Sequence, residues 1–106
     1  LFEWVVENLL KNSLDALQGQ GAINVTISSN SESVFVDVRD TGKGIARSNW
    51  KRIFEPGFTT KTRGWGLGLS LSRRIIEEYH KGRIAVIDSE IGKGTTIRIT
   101  LKRIFE

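Results

Sequence analysis

A glycine-rich stretch that leads directly into a helical pattern is the part of the chain best suited to chemistry. Glycine occupies every second position at Gly64, Gly66 and Gly68, where the lack of a side chain lets the backbone approach a ligand closely. The helix that follows offers free N–H groups and the positive end of its dipole, and both suit phosphate. Lys61 and Arg63 add positive charge just upstream. The spacing predicts phosphate binding; a glycine-rich surface turn before a helix is the alternative.

Two asparagines and an aspartate share one stripe of a helix that is predicted from residue 1 to about residue 18. They are Asn8, Asn12 and Asp15, separated by three or four positions. Asparagine is a poor helix former, so two of them within a strong helix indicate a use that offsets their cost. An amide oxygen is a fair ligand for Mg²⁺, which takes waters and substrate phosphates as its other ligands. Solvated or core-bonded amides are the alternative.

An acidic residue beside two glycines ends the second predicted strand. The sequence there runs Asp40-Thr-Gly42-Lys-Gly44-Ile45. A carboxylate at this position can accept a hydrogen bond from an exocyclic amine such as that of adenine. The alternative is a turn in which Asp40 is only a local acceptor.

The hydrophobic pattern predicts the strands that position these residues. Apolar residues alternate with polar ones over 23–28 and 34–38, which predicts a hairpin, and again over 95–101. The run 84–87 is apolar throughout, so we expect it at the centre of the sheet. The order helix, two strands, loop, helix, two strands predicts an α/β (α+β) two-layer sandwich, with one mixed, mostly antiparallel sheet covered on one face by helices.

The long helix after the glycines has an apolar face and a glycine at its end. We expect Gly82 to be its C-cap. His80, the only histidine, lies in the last turn, where we expect a structural role. The apolar face should consist of Leu67, Leu71, Ile75 and Tyr79.

Composition excludes several classes of protein. With 106 residues the chain is expected to be a single domain, and the absence of cysteine excludes disulfides and thiolate metal sites. No apolar run approaches the roughly 20 residues of a membrane span. The net charge of +4 comes from an excess of cations after residue 57. A small polyanion explains this excess as well as a nucleic acid would, and no nucleic-acid recognition motif is present.

Five short motifs, in a distinctive order, resemble those of the catalytic and ATP-binding domains of sensor histidine kinases (the HATPase_c or GHKL class). The motifs are Asn8-Leu-Leu-Lys-Asn12-Ser-Leu-Asp-Ala, Asp40-Thr-Gly-Lys-Gly44, Ile53-Phe-Glu-Pro-Gly-Phe-Thr-Thr-Lys61, Gly64-Trp-Gly-Leu-Gly68-Leu and Gly92-Lys-Gly-Thr-Thr96. They correspond to the family's N box, first glycine box, F box, second glycine box and a weaker G-x-G-T element, and they cover almost the whole chain. The resemblance implies the Bergerat ATP-binding fold, shared with gyrase B subunits, mismatch-repair ATPases and heat-shock chaperones.

The resemblance implies ATP and Mg²⁺ as cofactors. Asn12 would hold Mg²⁺, and Asn8 would support the phosphates from the preceding helical turn. Lys61 or Arg63 would reach the γ-phosphate. The implied catalytic set is therefore Asn8, Asn12, Lys61 and Arg63.

The resemblance also implies how the rest of the nucleotide is held. Asp40 would bind the adenine amino group, helped by a water and by Thr95. Residues 55–66 would form a lid over the phosphates, anchored by Phe54 and Phe58. The other implied nucleotide-binding positions are Asp15, Gly42, Gly44, Ile45, Thr59, Thr60, Gly64, Gly66, Leu67, Gly68 and Leu69.

Kinase chemistry is favoured over hydrolysis by the residue one helical turn before the metal-binding asparagine. Hydrolysing relatives carry a glutamate there, whereas this chain has Asn8, whose amide cannot accept a proton at neutral pH. The implied function is transfer of the γ-phosphate of Mg-ATP to a histidine in a separate dimerisation domain, for relay to a response-regulator aspartate. A nucleotide-binding switch module, or an ATPase without histidine phosphotransfer, is the alternative.

The implied domain comprises residues 1–106, truncated at its N-terminus and lacking the histidine-bearing dimerisation hairpin. The expected partners are ATP or ADP, that hairpin and a response-regulator receiver domain. We expect no nucleic acid and no direct membrane contact. The expected location is the cytoplasm, including the case of a membrane-anchored parent protein.

Overall fold

The structure, a computed structural model, describes residues 1–58 and 68–103. Helix α1 is followed by a β-hairpin, two short 3₁₀ turns, a second helix and a second pair of strands. In chain order the elements are α1 (Phe2–Leu17), β1 (Ile23–Ser29), β2 (Ser33–Asp40), the 3₁₀ turns Arg47–Asn49 and Arg52–Phe54, α2 (Gly68–Arg74) continued by a π-helical turn (Ile75–Tyr79), β3 (Arg83–Glu90) and β4 (Gly94–Lys102).

The four strands form one sheet in the order β1-β2-β4-β3. All three pairings between these described strands are antiparallel. The helices pack on one face of the sheet, where they share a single hydrophobic core with it. The predicted two-layer α+β class is therefore confirmed.

Strand β3 lies at an edge of the sheet, so the prediction of a central position was wrong. Ile84 and Val86 are buried against the core, but Ala85 and Ile87 are exposed on the strand. The run of apolar residues therefore does not reflect burial on both faces. The crossover from β2 through α2 brings β4, rather than β3, beside β2.

The centre of the core joins both helical segments to the two inner strands. Five of its side chains, at most 2% exposed, are Val5, Leu9, Val38, Ile76 and Ile99. On α1 the buried stripe consists of Val5, Leu9 and Ser13. It is narrower than the apolar pattern of the helix, because Leu14 is 60% exposed.

The buried face of α2 differs from the predicted one. Leu71 and Tyr79 are 43% and 70% exposed, whereas Ser72, Ile75 and Ile76 are buried. The small Ser72 faces inward because α1 approaches closely there. The π-helical turn from Ile75 shifts the last residues around the helix axis relative to a regular 3.6-residue pattern.

The C-cap after α2 and its π-helical turn is His80 rather than the predicted Gly82, and the next residue, rather than the glycine, has the left-handed conformation. Lys81 adopts this conformation, with φ +56°, and the Gly82 N–H donates to the Ile76 carbonyl (2.8 Å). Gly82 is suited to its position for another reason, because a Cβ there would contact the carbonyl oxygen of Thr100 on β4. His80 is exposed, and its ring meets the Phe2 ring edge-on with centroids 5.7 Å apart.

Within residues 1–58 and 68–103, no helix has the length and apolar character needed to cross a membrane.

Candidate functional site

Helix α1 contacts the first described turn of α2 through Asn8. Its Nδ2 donates to Ser72 Oγ (3.0 Å), and that hydroxyl donates to the Gly68 carbonyl oxygen (2.8 Å). A Cβ on Gly68 would lie only 2.7 Å from Asn8 Oδ1, so any larger residue there would displace the Asn8 side chain. The structure therefore brings the asparagine stripe of α1 together with the last glycine of the glycine-rich stretch.

Asn12 lies one turn further along α1 and is half-buried. Its Nδ2 donates to the Asn8 carbonyl (3.0 Å), so the bond uses the nitrogen end of the amide. The other end is an oxygen, the hard atom that Mg²⁺ prefers. One such oxygen fits a cation that takes its other ligands from waters and phosphates. The described residues contain no cluster of three or more His, Cys, Asp or Glu that could hold a metal ion without such help.

Asp15, the third member of the predicted stripe, is exposed in the last turns of α1. Its side chain is therefore at the surface rather than in the contact between the two helices.

The carboxylate of Asp40 is buried at the end of β2, with the residue only 6% exposed. Its Oδ1 accepts a hydrogen bond from the Gly42 N–H (2.9 Å), as the turn alternative predicted. Oδ2 has no hydrogen-bond partner among the described residues, and no buried side-chain oxygen or nitrogen in this part of the chain is unsatisfied. Oδ2 therefore reaches solvent and is available to a ligand.

Thr95 lies directly opposite Asp40 in the antiparallel pairing of β2 and β4, and it too is 6% exposed. Its Oγ1 is 2.8 Å from the Oγ of Ser89 on β3. Ser89 was not among the site residues predicted from the sequence. A serine that follows an apolar run is a weak signal, because the face on which it lies depends on an irregularity of the strand.

The loop after Asp40 packs against the end of α1. The Lys43 N–H donates to the Ala16 carbonyl (3.1 Å), and a Cβ on Gly42 would lie 2.5 Å from the same oxygen. Glycine is therefore required at position 42 by the approach of two backbones.

Two further glycines allow the β3–β4 turn to approach the same loop. Gly44 has φ +78°, and a Cβ there would contact the carbonyl oxygen of Glu90. Gly94 has φ +127°, and a Cβ there would contact the carbonyl oxygen of Asp40. The predicted set contained Gly44 but not Gly94, although the G-x-G-T motif includes it.

Apolar residues of the predicted site border this region and join it to the core. Phe54 is 3% exposed and belongs to the core itself, whereas Ile45, Phe58 and Leu69 are half-buried and pack against it. The Ile45 N–H donates to Ser89 Oγ (2.7 Å). That Phe54 and Phe58 anchor the segment that follows them stays a prediction.

The remaining predicted residues are outside the described part of the chain. They are Thr59, Thr60, Lys61, Arg63, Gly64, Gly66 and Leu67.

A guanidinium on the opposite face of the sheet has a raised pKa. The pKa of Arg98 is raised above its ordinary value, mainly by its hydrogen bond to Asp37. The guanidinium binds that carboxylate through two bonds of 2.8 and 2.9 Å and lies over the Phe35 ring. This pair braces β2 against β4 outside the candidate site.

The fold and these groups define a two-layer ATPase-type domain. Residues 1–104 match the family described as "Histidine kinase-, DNA gyrase B-, and HSP90-like ATPase". The chain belongs to this family, in agreement with the motifs in its sequence.

Individual relatives agree with this assignment. The chain is 45% identical over 95 residues to Sporulation kinase E of Bacillus subtilis (strain 168), a match that covers 89% of this chain and 13% of that protein. It superposes with a TM-score of 0.80 on the catalytic domain of histidine kinase ThkA, at 35% identity, covering 92% of this chain and 64% of the other. It also resembles full-length ShkA in complex with AMPPNP (TM-score 0.81, 28% identity, 92% and 20% covered). The chain thus spans only a small part of Sporulation kinase E and of full-length ShkA.

Proposed function

We propose that this domain binds Mg-ATP and transfers its γ-phosphate to a histidine of a separate domain in its parent kinase, for relay to a response-regulator aspartate. The family is one of ATPases, and similar chains are parts of kinases. The structure of ShkA with AMPPNP, an ATP analogue, supports a nucleotide as ligand.

The observation that carries the proposal is the pair formed by Asp40 and Thr95. Both are buried and directly opposed, and Asp40 Oδ2 is available at the surface. A carboxylate accepts hydrogen bonds and cannot donate them at neutral pH. Such an acceptor suits the amino group of adenine and disfavours the carbonyl of guanine.

The phosphates would extend from the base toward the contact between α1 and α2. Asn12 would hold the Mg²⁺, which supplies charge neutralisation for the phosphates when bound. Asn8 is fixed by Ser72 next to Gly68, so it can support phosphate oxygens without moving. Lys61 or Arg63 would reach the γ-phosphate.

Transfer is supported over hydrolysis by the chemistry of the residue at position 8. The side chain of Asn8 is an amide, which cannot take a proton from water, and its nitrogen is already bound to Ser72. Catalysis by this domain would then consist of positioning and charge stabilisation. The nucleophile would be the imidazole of the partner domain.

The test is to mix this chain with Mg-ATP labelled at the γ-phosphate and the histidine-bearing hairpin of the parent protein. We expect acid-labile, base-stable phosphate on the hairpin and much less with the Asn12→Ala variant. A hairpin with its histidine replaced by alanine is the control. Nucleotide binding without labelling of the hairpin would instead support a nucleotide-binding switch.

A further inference from the structure

The hydroxyl of Ser89 lies at the centre of three hydrogen bonds behind the proposed base site. It accepts from the Ile45 N–H (2.7 Å), donates to the Gly94 carbonyl oxygen (2.9 Å), and lies 2.8 Å from Thr95 Oγ1. None of these partners is itself a charged group. The three bonds join β3 to the loop after β2 and to the start of β4.

A β-bulge in β3 brings Ser89 to this position. Val86 pairs with Ile97, but Asp88 pairs with Thr96, so that Ile87 is an extra residue in the ladder. In a regular ladder without the bulge, strand alternation would turn Asp88 toward the inner face and Ser89 toward the outer one. The bulge therefore brings a neutral hydroxyl, rather than a carboxylate, beside Thr95.

The number of protons in the cluster determines the direction of the third bond. A serine hydroxyl has one proton and can accept two hydrogen bonds. The Gly94 carbonyl can only accept, so it takes the Ser89 proton, and the Ile45 N–H can only donate. The Thr95 hydroxyl must then donate its own proton to Ser89 Oγ, and its lone pairs are left for other partners.

We propose that Ser89 is a positioning residue that holds Thr95 as a hydrogen-bond acceptor, so that Asp40 and Thr95 together select a base with a donor at this edge. The selected ligand class is the 6-aminopurine nucleotides, whose amino group donates directly or through a water. A 6-oxopurine nucleotide presents a carbonyl to two acceptors and is rejected. This inference rests on the proposed function, because it presumes that the site holds a purine nucleotide.

The test compares the affinities for ATP and ITP, which differ in the group at position 6 of the base and in the proton that the 6-oxo base carries on N1. In Ser89→Ala the Thr95 proton loses its acceptor and can turn toward the ligand. We therefore expect the ratio of ATP to ITP affinity, measured by calorimetry with Mg²⁺, to fall about five- to tenfold, the effect of roughly one hydrogen bond. Ser89→Cys, which keeps the shape but is a weak partner, should change the ratio in the same direction and answers the question if the alanine variant does not fold.

A second comparison, made in a variant without the Thr95 hydroxyl, distinguishes an effect on base selectivity from an effect on packing. In a Thr95→Val background no hydroxyl can reorient, so adding Ser89→Ala should leave the affinity ratio unchanged. A ratio that falls equally in that background would contradict the proposed role of Thr95. An unchanged ratio in folded Ser89→Ala or Ser89→Cys protein would overturn the inference while leaving the proposed function intact. If the unmodified chain bound neither nucleotide, the proposed function would fail, and this inference with it.

Discussion

At the scale of single residues, the carboxylate of Asp40 is held by backbone rather than by a cation. Oδ1 accepts from the Gly42 N–H (2.9 Å), and none of the ion pairs between described residues involves Asp40. A neighbouring lysine or arginine would compete with a ligand for the second oxygen. Here that oxygen retains its capacity to accept a hydrogen bond from a base.

The variant Asp40→Asn tests this assignment. We expect ATP affinity to fall about ten- to a hundredfold, because hydrogen bonds to charged groups are worth roughly 1.5–3 kcal/mol, while GTP affinity should change much less. Calorimetric titrations with both nucleotides measure the difference. Asp37→Asn is a matched control, since it makes the same chemical change on the same strand but on the outer face. Equal losses for ATP and GTP would contradict a role in base selection.

At the scale of elements, the site depends on how closely loops and turns approach one another. Gly44 and Gly92 have nearly the same backbone conformation, with φ +78° and +82°. A Cβ on Gly44 would contact the Glu90 carbonyl, whereas a Cβ on Gly92 would meet no atom within 4 Å. A comparison of alanine variants at the two positions therefore separates the cost of a positive φ from the cost of a steric conflict.

Replacing each of these glycines by alanine should destabilise the protein by different amounts. We expect Gly92→Ala to lower the free energy of unfolding by about 1 kcal/mol, the usual cost of the left-handed region for alanine. Gly44→Ala should lower it by roughly 3 kcal/mol, because overpacking adds to that cost. Urea unfolding followed by circular dichroism measures both. Similar losses for the two variants would show that the β3–β4 turn can move away from the loop without cost.

The elements that sequence alone predicts well are those with a strong local pattern. The periodicity of α1 and the alternation in β1 and β2 determine their structures locally. Asp40 could be selected as a site residue because it ends a predicted strand just before two glycines. The position of β3 at the edge depends on strand order, which is a non-local property. Ser89 could not be assigned to the inner face either, because strand alternation alone predicts the opposite face and only the bulge at Ile87 reverses it.

At the scale of the whole molecule, the proposed ligand would join parts of the chain that are distant in sequence. Its proposed site includes α1, the end of β2, the start of α2 and the start of β4. A ligand that binds only the folded chain stabilises it by mass action, by about 2.7 kcal/mol at a hundredfold excess over Kd. Binding should therefore raise the free energy of unfolding of the whole domain.

We expect Mg-ATP at this excess to raise Tm by roughly 10–20 °C, since 1 kcal/mol shifts the Tm of a domain of about 100 residues by roughly 4–8 °C. A thermal scan with and without nucleotide measures the shift. The Asp40→Asn variant, scanned at the same nucleotide concentration, should show a much smaller one. A Tm that does not respond to Mg-ATP in the unmodified chain would be evidence against nucleotide binding.

Three successive turns of α1 carry Asn8, Asn12 and Ala16 at a spacing of four residues. The first contacts Ser72 and Gly68, the second is the proposed magnesium ligand, and the carbonyl of the third accepts from the loop that follows Asp40. In the proposed binding mode, helix α1 would set the distance between the two ends of the ligand. A shift of this helix by a single residue would misalign all three points at once, so the pitch of the α-helix would determine the length of ligand that fits between them.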